Sequence, residues 1–286
     1  MGTLTGTERG ATGAAQPGSD GRSKLARAGL AAKGVLYLAL GFLAVQFASG
    51  DAASSEVAPA GAVQHIARQP LGRWLLVILT LGLICLFVWH VLQTATGDPV
   101  EGDEASDRVV FAGKAVAYAG ITAISVSVLL ANWGKDAGAG GGSGAGGGSG
   151  EQQAAAAVLG WPGGRFLVAA AGLLALAIGG YALYRYAVQA QFMERLDRAR
   201  MDSLEPAVEL AGRVGYGARG VVFAIVGGLL MVAAVQHDPD EAGGLSEALQ
   251  TLAGQSWGPP LLWAVALGLV LFGAFSLAEA RYRRNA

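Results

Sequence analysis

The sequence predicts an all-α polytopic membrane protein whose six transmembrane helices form three parallel two-helix repeats. Three observations carry that prediction. Of 286 residues, 53% are apolar and only 14% charged, with a mean hydropathy of +0.45, whereas soluble domains carry about a quarter charged residues. The charge is confined to segments between long apolar runs, and a basic, glycine-containing motif recurs at the head of alternate runs. Together these exclude an ordinary soluble enzyme. A single cysteine, Cys85, excludes a secreted disulfide scaffold. A net charge of −1 gives no pull on polyanions, so no nucleic-acid partner is expected.

A span needs roughly 20 mostly apolar residues to cross about 30 Å of hydrocarbon. Residues 1–24 hold little to bury and read as a disordered cytoplasmic tail. The first span is Leu30–Phe47. Arg22, Lys24 and Arg27 precede it in the manner of a signal peptide, but its apolar run is too long for one and its motif recurs downstream, so it is expected to be retained. Trp74–Leu92 is the second span and completes repeat 1, residues 25–95. Next comes an acidic turn with Asp98, Glu101, Asp103, Glu104 and Asp107, whose spacing is not that of an EF-hand. Val109–Ala131 and Phe166–Val188 are the spans of repeat 2, residues 109–190. Between them, residues 137–150 are a glycine-serine linker with no Gly-Lys-Ser/Thr to make a phosphate loop. Val214–Val235 and Leu261–Ala278 complete repeat 3, residues 208–283.

Small residues let membrane helices approach closely. Gly172 with Gly179 and Gly180, and Gly220 with Gly227 and Gly228, therefore read as packing seams. In each external loop a short helical stretch and a Pro/Gly break precede the second span: Val63–Gly72, Ala154–Gly164 and Leu245–Pro260. These are expected to be half-turns at the interface.

Lysine and arginine set orientation. The tails, the second and fourth loops and the adjoining helix ends hold 16 of the 20, leaving Arg68, Arg73, Lys135 and Arg165 on the other face. Both termini are thus expected in the cytoplasm of a cell-membrane protein. Five of the six tryptophans gather around the opposite ends, where interfacial indoles belong.

The repeat is read from its opening motif. Arg27, Gly29, Lys33 and Gly34 in the first copy match Arg213, Gly215, Arg219 and Gly220 in the third. In the second copy Lys114 is taken as the first basic residue, and the second falls on Gly120. This Arg-x-Gly-x-x-x-Lys/Arg-Gly opening resembles the bacterial membrane family known as domain of unknown function 1206. The resemblance covers residues 25–283 and implies a six-span inner-membrane protein, commonly actinobacterial, with no assigned activity. Mitochondrial-carrier-like proteins also have three two-span repeats, but spans 1, 3 and 5 lack the proline their motif requires.

Ionisable groups inside a membrane are expensive and therefore functional candidates. Lys33 and Arg219 lie six residues past Arg27 and Arg213, about 9 Å deeper at helical rise. The second helices end with His90, Arg185 and Glu279. Lys33, Arg219, His90 and Glu279 could line a polar cytoplasmic vestibule, with Glu279 pairing Lys33 or Arg219. The simpler expectation is that the basic residues snorkel to headgroups as anchors. Gln46, Gln93, Thr122, Ser125 and Ser127 receive no role. No catalytic, cofactor or metal residues are expected, because His65, His90 and His237 are scattered and no Cys/His spacing suits a metal. The leading expectation is a structural or interaction protein, not an enzyme, whose partners are the lipid bilayer and a second copy or another membrane protein. The alternative is a small channel or transporter along a pseudo-three-fold axis.

Overall fold

A computed structural model of the chain describes residues 19–50, 57, 59–69, 72–97, 105–131, 158–159, 163–236 and 245–284. They form α1 (Ser19–Ser49), α2 (Pro59–Arg68), α3 (Gly72–Thr96), α4 (Ala105–Ala131), α5 (Gly164–Tyr181), α6 (Glu205–Gln236), α7 (Leu245–Ala253) and α8 (Gly258–Tyr282). Six of these helices, α1, α3, α4, α5, α6 and α8, are long and apolar enough to cross a membrane. The sequence-derived spans fall on them in order. The protein is an all-α, multi-pass membrane protein.

α1 begins at Ser19, inside the segment read as tail, because backbone hydrogen bonding continues past the apolar run. The rest of that tail, the glycine-serine linker and all of the acidic turn except Asp107 lie outside the described residues.

The six helices pack in the order α4, α3, α1, α8, α6, α5, and among the described residues α4 and α5 share no extended contact. The row is therefore open at one place. Its deepest core joins Leu36, Leu40 and Leu43 of α1, Leu76, Leu79 and Leu83 of α3, and Leu262, Val265 and Leu269 of α8, closed by Val63 of α2 and Leu249 of α7. The short helices α2 and α7 fall in the first and third of the stretches read as half-turns, while most of the second, Ala154–Gly164, lies outside the described residues.

Glycines determine which helices touch. A Cβ built on Gly29 would lie 2.7 Å from the Leu86 Cα, and one on Gly215 would lie 2.7 Å from the Phe272 Cα. These two contacts close the hairpins α1–α3 and α6–α8. Gly172 and Gly179 face Gly227 and Gly220 across the α5–α6 seam, as anticipated, whereas Gly180 and Gly228 face open space. Gly72, Gly164 and Gly258 each start a second span, with the carbonyl of Ala67, Val158 or Leu252 where a Cβ would sit.

Beyond α5 the helix widens into a π-helical turn, Ala182–Val188, followed by 3-10 turns at Gln191–Arg195, Arg198–Arg200 and Asp202–Leu204. Phe192, Met193, Leu196 and Met201 are buried there against Tyr216, Phe272 and Phe275. The segment is tied to the end of α8: the Asp197 amide donates to the Tyr282 carbonyl at 2.8 Å and the Arg284 amide to that of Arg195 at 3.0 Å. The segment is a packed cover over the terminus-bearing end of the bundle.

Candidate functional site

At that end, α1 and α8 cross backbone to backbone, with Gly34 against Leu277 and the Gly273 carbonyl. This closeness lets Lys33 Nζ reach Glu279 Oε2 at 3.2 Å, with the two side chains only 10% and 3% exposed. Arg283 contacts the other carboxylate oxygen at 3.6 Å, so one anion bridges two cations. Lys33 also lies 5.4 Å from the centroid of the Phe272 ring. A charge taken out of water needs such pairing, and breaking the pair leaves an uncompensated ion. The snorkelling expectation is thus corrected at Lys33: its ammonium turns inward to Glu279 and away from the headgroups.

Arg219, on α6, stands apart from this pair. Its guanidinium lies 4.6 Å from the Phe272 ring, 5.3 Å from Tyr37 and 5.6 Å from Phe223. Tyr118, Tyr186 and Tyr216 are within electrostatic range. It too faces the interior. His90 is buried on α3, with Nδ1 2.8 Å from Gln93 Oε1 and its ring stacked on Tyr118 at 5.2 Å. The four candidate residues therefore all enter the bundle, but in three settings: an ion pair, an aromatic cage and a histidine–glutamine contact. Lys33, His90 and Glu279 are all buried.

The remaining motif residues are structural in their contacts. Arg27 donates from Nη2 to the Arg283 carbonyl at 3.5 Å, and Arg213 pairs with Glu209 at 2.8 Å. Lys114 lies over Phe111 at 5.2 Å.

The register drawn for the middle segment does not reproduce the burial seen in the outer two. Gly120 is exposed with open space around it, where Lys33 is buried. Moving the match by six residues sets Arg108 on Arg27 and Arg213, Lys114 on Lys33 and Arg219, and Tyr118 on Tyr37 and Phe223. In that register the buried positions coincide: Leu30, Phe111 and Tyr216, then Gly34, Ala115 and Gly220. On the second helices, counting from Gly72, Gly164 and Gly258, Glu279 then corresponds to Gln93 and Arg185. Gln93, given no role from sequence, is fully buried.

Sequence reasoning also missed the cover segment. Phe192, Met193, Leu196 and Met201 were its signal, apolar residues spaced through a charged stretch. Among the described residues no group of three His, Cys, Asp or Glu side chains could hold a metal.

The profile of a family described as Domain of Unknown Function (DUF1206) matches this chain twice, over residues 28–97 and 214–283. An uncharacterized protein of Bacillus subtilis (strain 168), YxxB, is 30% identical over 263 residues, 91% of this chain and 90% of the relative. The chain belongs to this family. The two matched stretches are α1–α3 and α6–α8, the hairpins closed by Gly29 and Gly215, and they pass over α4 and α5. The family is one of unassigned activity, and this chain is an integral membrane protein within it. No solved structure matches the chain.

Proposed function

We propose that this protein is a structural or interaction protein of the bacterial cell membrane, built from three parallel hairpins around a pseudo-three-fold axis, with both termini cytoplasmic. Orientation is supported by the 16 lysines and arginines on the terminus-bearing side against four on the other. The middle hairpin as a third repeat is supported by the coincidence of buried positions in the shifted register and by the shared glycine at the head of each second span. A non-enzymatic role belongs to the same proposal. The partners it implies are the bilayer and a second copy or another membrane protein.

The observation that carries the proposal is the Lys33–Glu279–Arg283 cluster. Its charges are committed to one another across α1 and α8, so they hold the bundle together and do not line a path for water. Single cysteines at positions 33, 90, 219 and 279 in a Cys85→Ser background test it, labelled in intact membranes with a water-soluble thiol reagent. Positions 33, 90 and 279 should resist labelling, and charge reversal at Glu279 should leave ion flux unchanged. Labelling of all four from the cytoplasm, with altered flux, would make the protein a channel or transporter instead.

A further inference from the structure

We propose that the interior of the bundle holds a binding site for a single oxyanion, a phosphate or a carboxylate, with Arg219 as its charge partner and the hydroxyls of Tyr37 and Tyr118 as further donors. The site is independent of the interaction role and goes beyond it.

The case begins with two equivalent helix pairs. A Cβ on Gly34 would lie 2.7 Å from Leu277 and 3.0 Å from the Gly273 carbonyl, and one on Gly220 would lie 2.6 Å from Leu183 and 3.0 Å from the Gly179 carbonyl. α1 meets α8 as α6 meets α5. Next to Gly34 stands Lys33, and across the seam is Glu279 to neutralise it. Next to Gly220 stands Arg219, and the residue corresponding to Glu279 is Arg185. The second pair carries two cations where the first carries an ion pair.

Among the described residues, Arg185 Nε is buried without a hydrogen-bond partner. Within the π-helical turn, Arg185 lies over Tyr181 at 5.6 Å, while the Tyr186 ring comes within 4.5 Å of Tyr216. A π turn inserts an extra residue into a helix and is frequent at functional sites. Arg219 is left without a carboxylate. Among the described residues its guanidinium meets only aromatic faces and makes no hydrogen bond. Its fork of five N–H donors has no acceptor capacity of its own.

The surroundings are donors as well. Tyr37 and Tyr118 are within electrostatic range of Arg219, and neither hydroxyl is hydrogen-bonded among the described residues. Nearby, Lys33 and Arg283 already share Glu279. Arg219 thus stands as a cation without a carboxylate beside two phenols, and the complement it lacks is an anion. Planar guanidinium forks suit carboxylate and phosphate oxygens, and phenols complete such a shell.

Access comes from the side. The packed cover of Phe192 and Met193 lies over the terminus-bearing end, whereas among the described residues α4, which carries Tyr118, and α5, whose continuation carries Tyr186, share no extended contact. An acidic lipid entering between them would bring its headgroup to Arg219, and a free anion of the same chemistry would meet the same donors.

Full-length protein in phosphatidylcholine vesicles, unfolded by heat and followed by tryptophan fluorescence, provides the test. Vesicles containing phosphatidylglycerol, and phosphatidylcholine vesicles with added inorganic phosphate or acetate, form the two arms. Occupancy at a hundred times the dissociation constant should raise the unfolding temperature by roughly 5–10 °C. A rise with phosphatidylglycerol alone assigns the site to a lipid headgroup, and a rise with phosphate or acetate assigns it to a free anion. Arg219→Gln should abolish the rise. Tyr118→Phe removes one oxygen without disturbing the ring and should weaken binding roughly tenfold; it decides the matter where Arg219→Gln does not fold. No rise in either arm, or a rise that both variants retain in full, overturns the site.

Discussion

The outer hairpins α1–α3 and α6–α8 close upon themselves, while α4 and α5 between them stand at opposite ends of the helix row. The difference comes down to a few side chains. Where the closed hairpins have Gly29 and Gly82, or Gly215 and Gly268, the middle segment has Val110 and Leu174, and both are exposed. Gly82 and Gly268 admit Ala32 and Ala218 of their own hairpins where a Cβ would otherwise stand. In hydrocarbon there is no hydrophobic drive to bring two helices together, so contact depends on how closely the backbones fit. Val110 and Leu174, both branched, stand where the closed hairpins have glycine and leave no such close fit.

The largest expected effect breaks the cluster that joins the outer hairpins. Glu279→Ala removes the carboxylate that Lys33 and Arg283 share and should cost about 3–5 kcal/mol of unfolding free energy. Lys33→Met combined with Glu279→Leu should recover most of that loss, since it replaces the pair by packing. Denaturant unfolding of the solubilised protein checks both. If Glu279→Ala costs under about 1 kcal/mol, the cluster is exposed to water and does not hold α1 to α8.

A smaller effect addresses the closed and open hairpins directly. Gly29→Leu must push against the Leu86 backbone, and Gly215→Leu against that of Phe272, each at about 1–3 kcal/mol. The corresponding middle positions should be nearly silent, with Val110→Ala and Leu174→Ala within about 0.5 kcal/mol. Equal costs at all four positions would mean that the middle hairpin closes in the membrane.

Much of this fold was legible because the bilayer imposes a simple length and polarity rule. Six apolar runs became six long helices, and the Arg-x-Gly-x-x-x-Lys/Arg-Gly opening marked the two hairpins that close. The middle register was not legible from the motif, because Val110 and Ala115 replace two of its glycines. Only burial, with Phe111 and Ala115 inside and Gly120 outside, aligns it. In the site, the sequence suggested that Glu279 pairs with Lys33 or Arg219, and the helix contacts select Lys33. It had no means of showing that Tyr37 and Phe272 cage Arg219, since those rings come from helices far apart in the chain; only Phe223, one helical turn on from Arg219, was within its reach. The cover was hidden because its apolar residues lie among Arg195, Arg198 and Arg200.

The smallest effect sharpens the comparison between seams. At the α5–α6 seam, Gly172 and Gly227 meet backbone to backbone; at α3–α4 the corresponding residues are Thr80 and Thr122. Thr80 Oγ1 instead bonds Ser125 Oγ at 2.7 Å, fully inside the bundle. Interhelical hydrogen bonds of this kind average about 0.6 kcal/mol in membranes, because a freed hydroxyl finds its own helix carbonyl. Thr80→Val keeps the shape and removes the bond, so it should cost about that much. Disulfide trapping between cysteines placed on α3 and α4 should change little. A cost above about 2 kcal/mol, with loss of trapping, would show that α4 hangs from α3 by this hydroxyl pair, and that the packing of Phe111 and Ala115 contributes less than their burial implies.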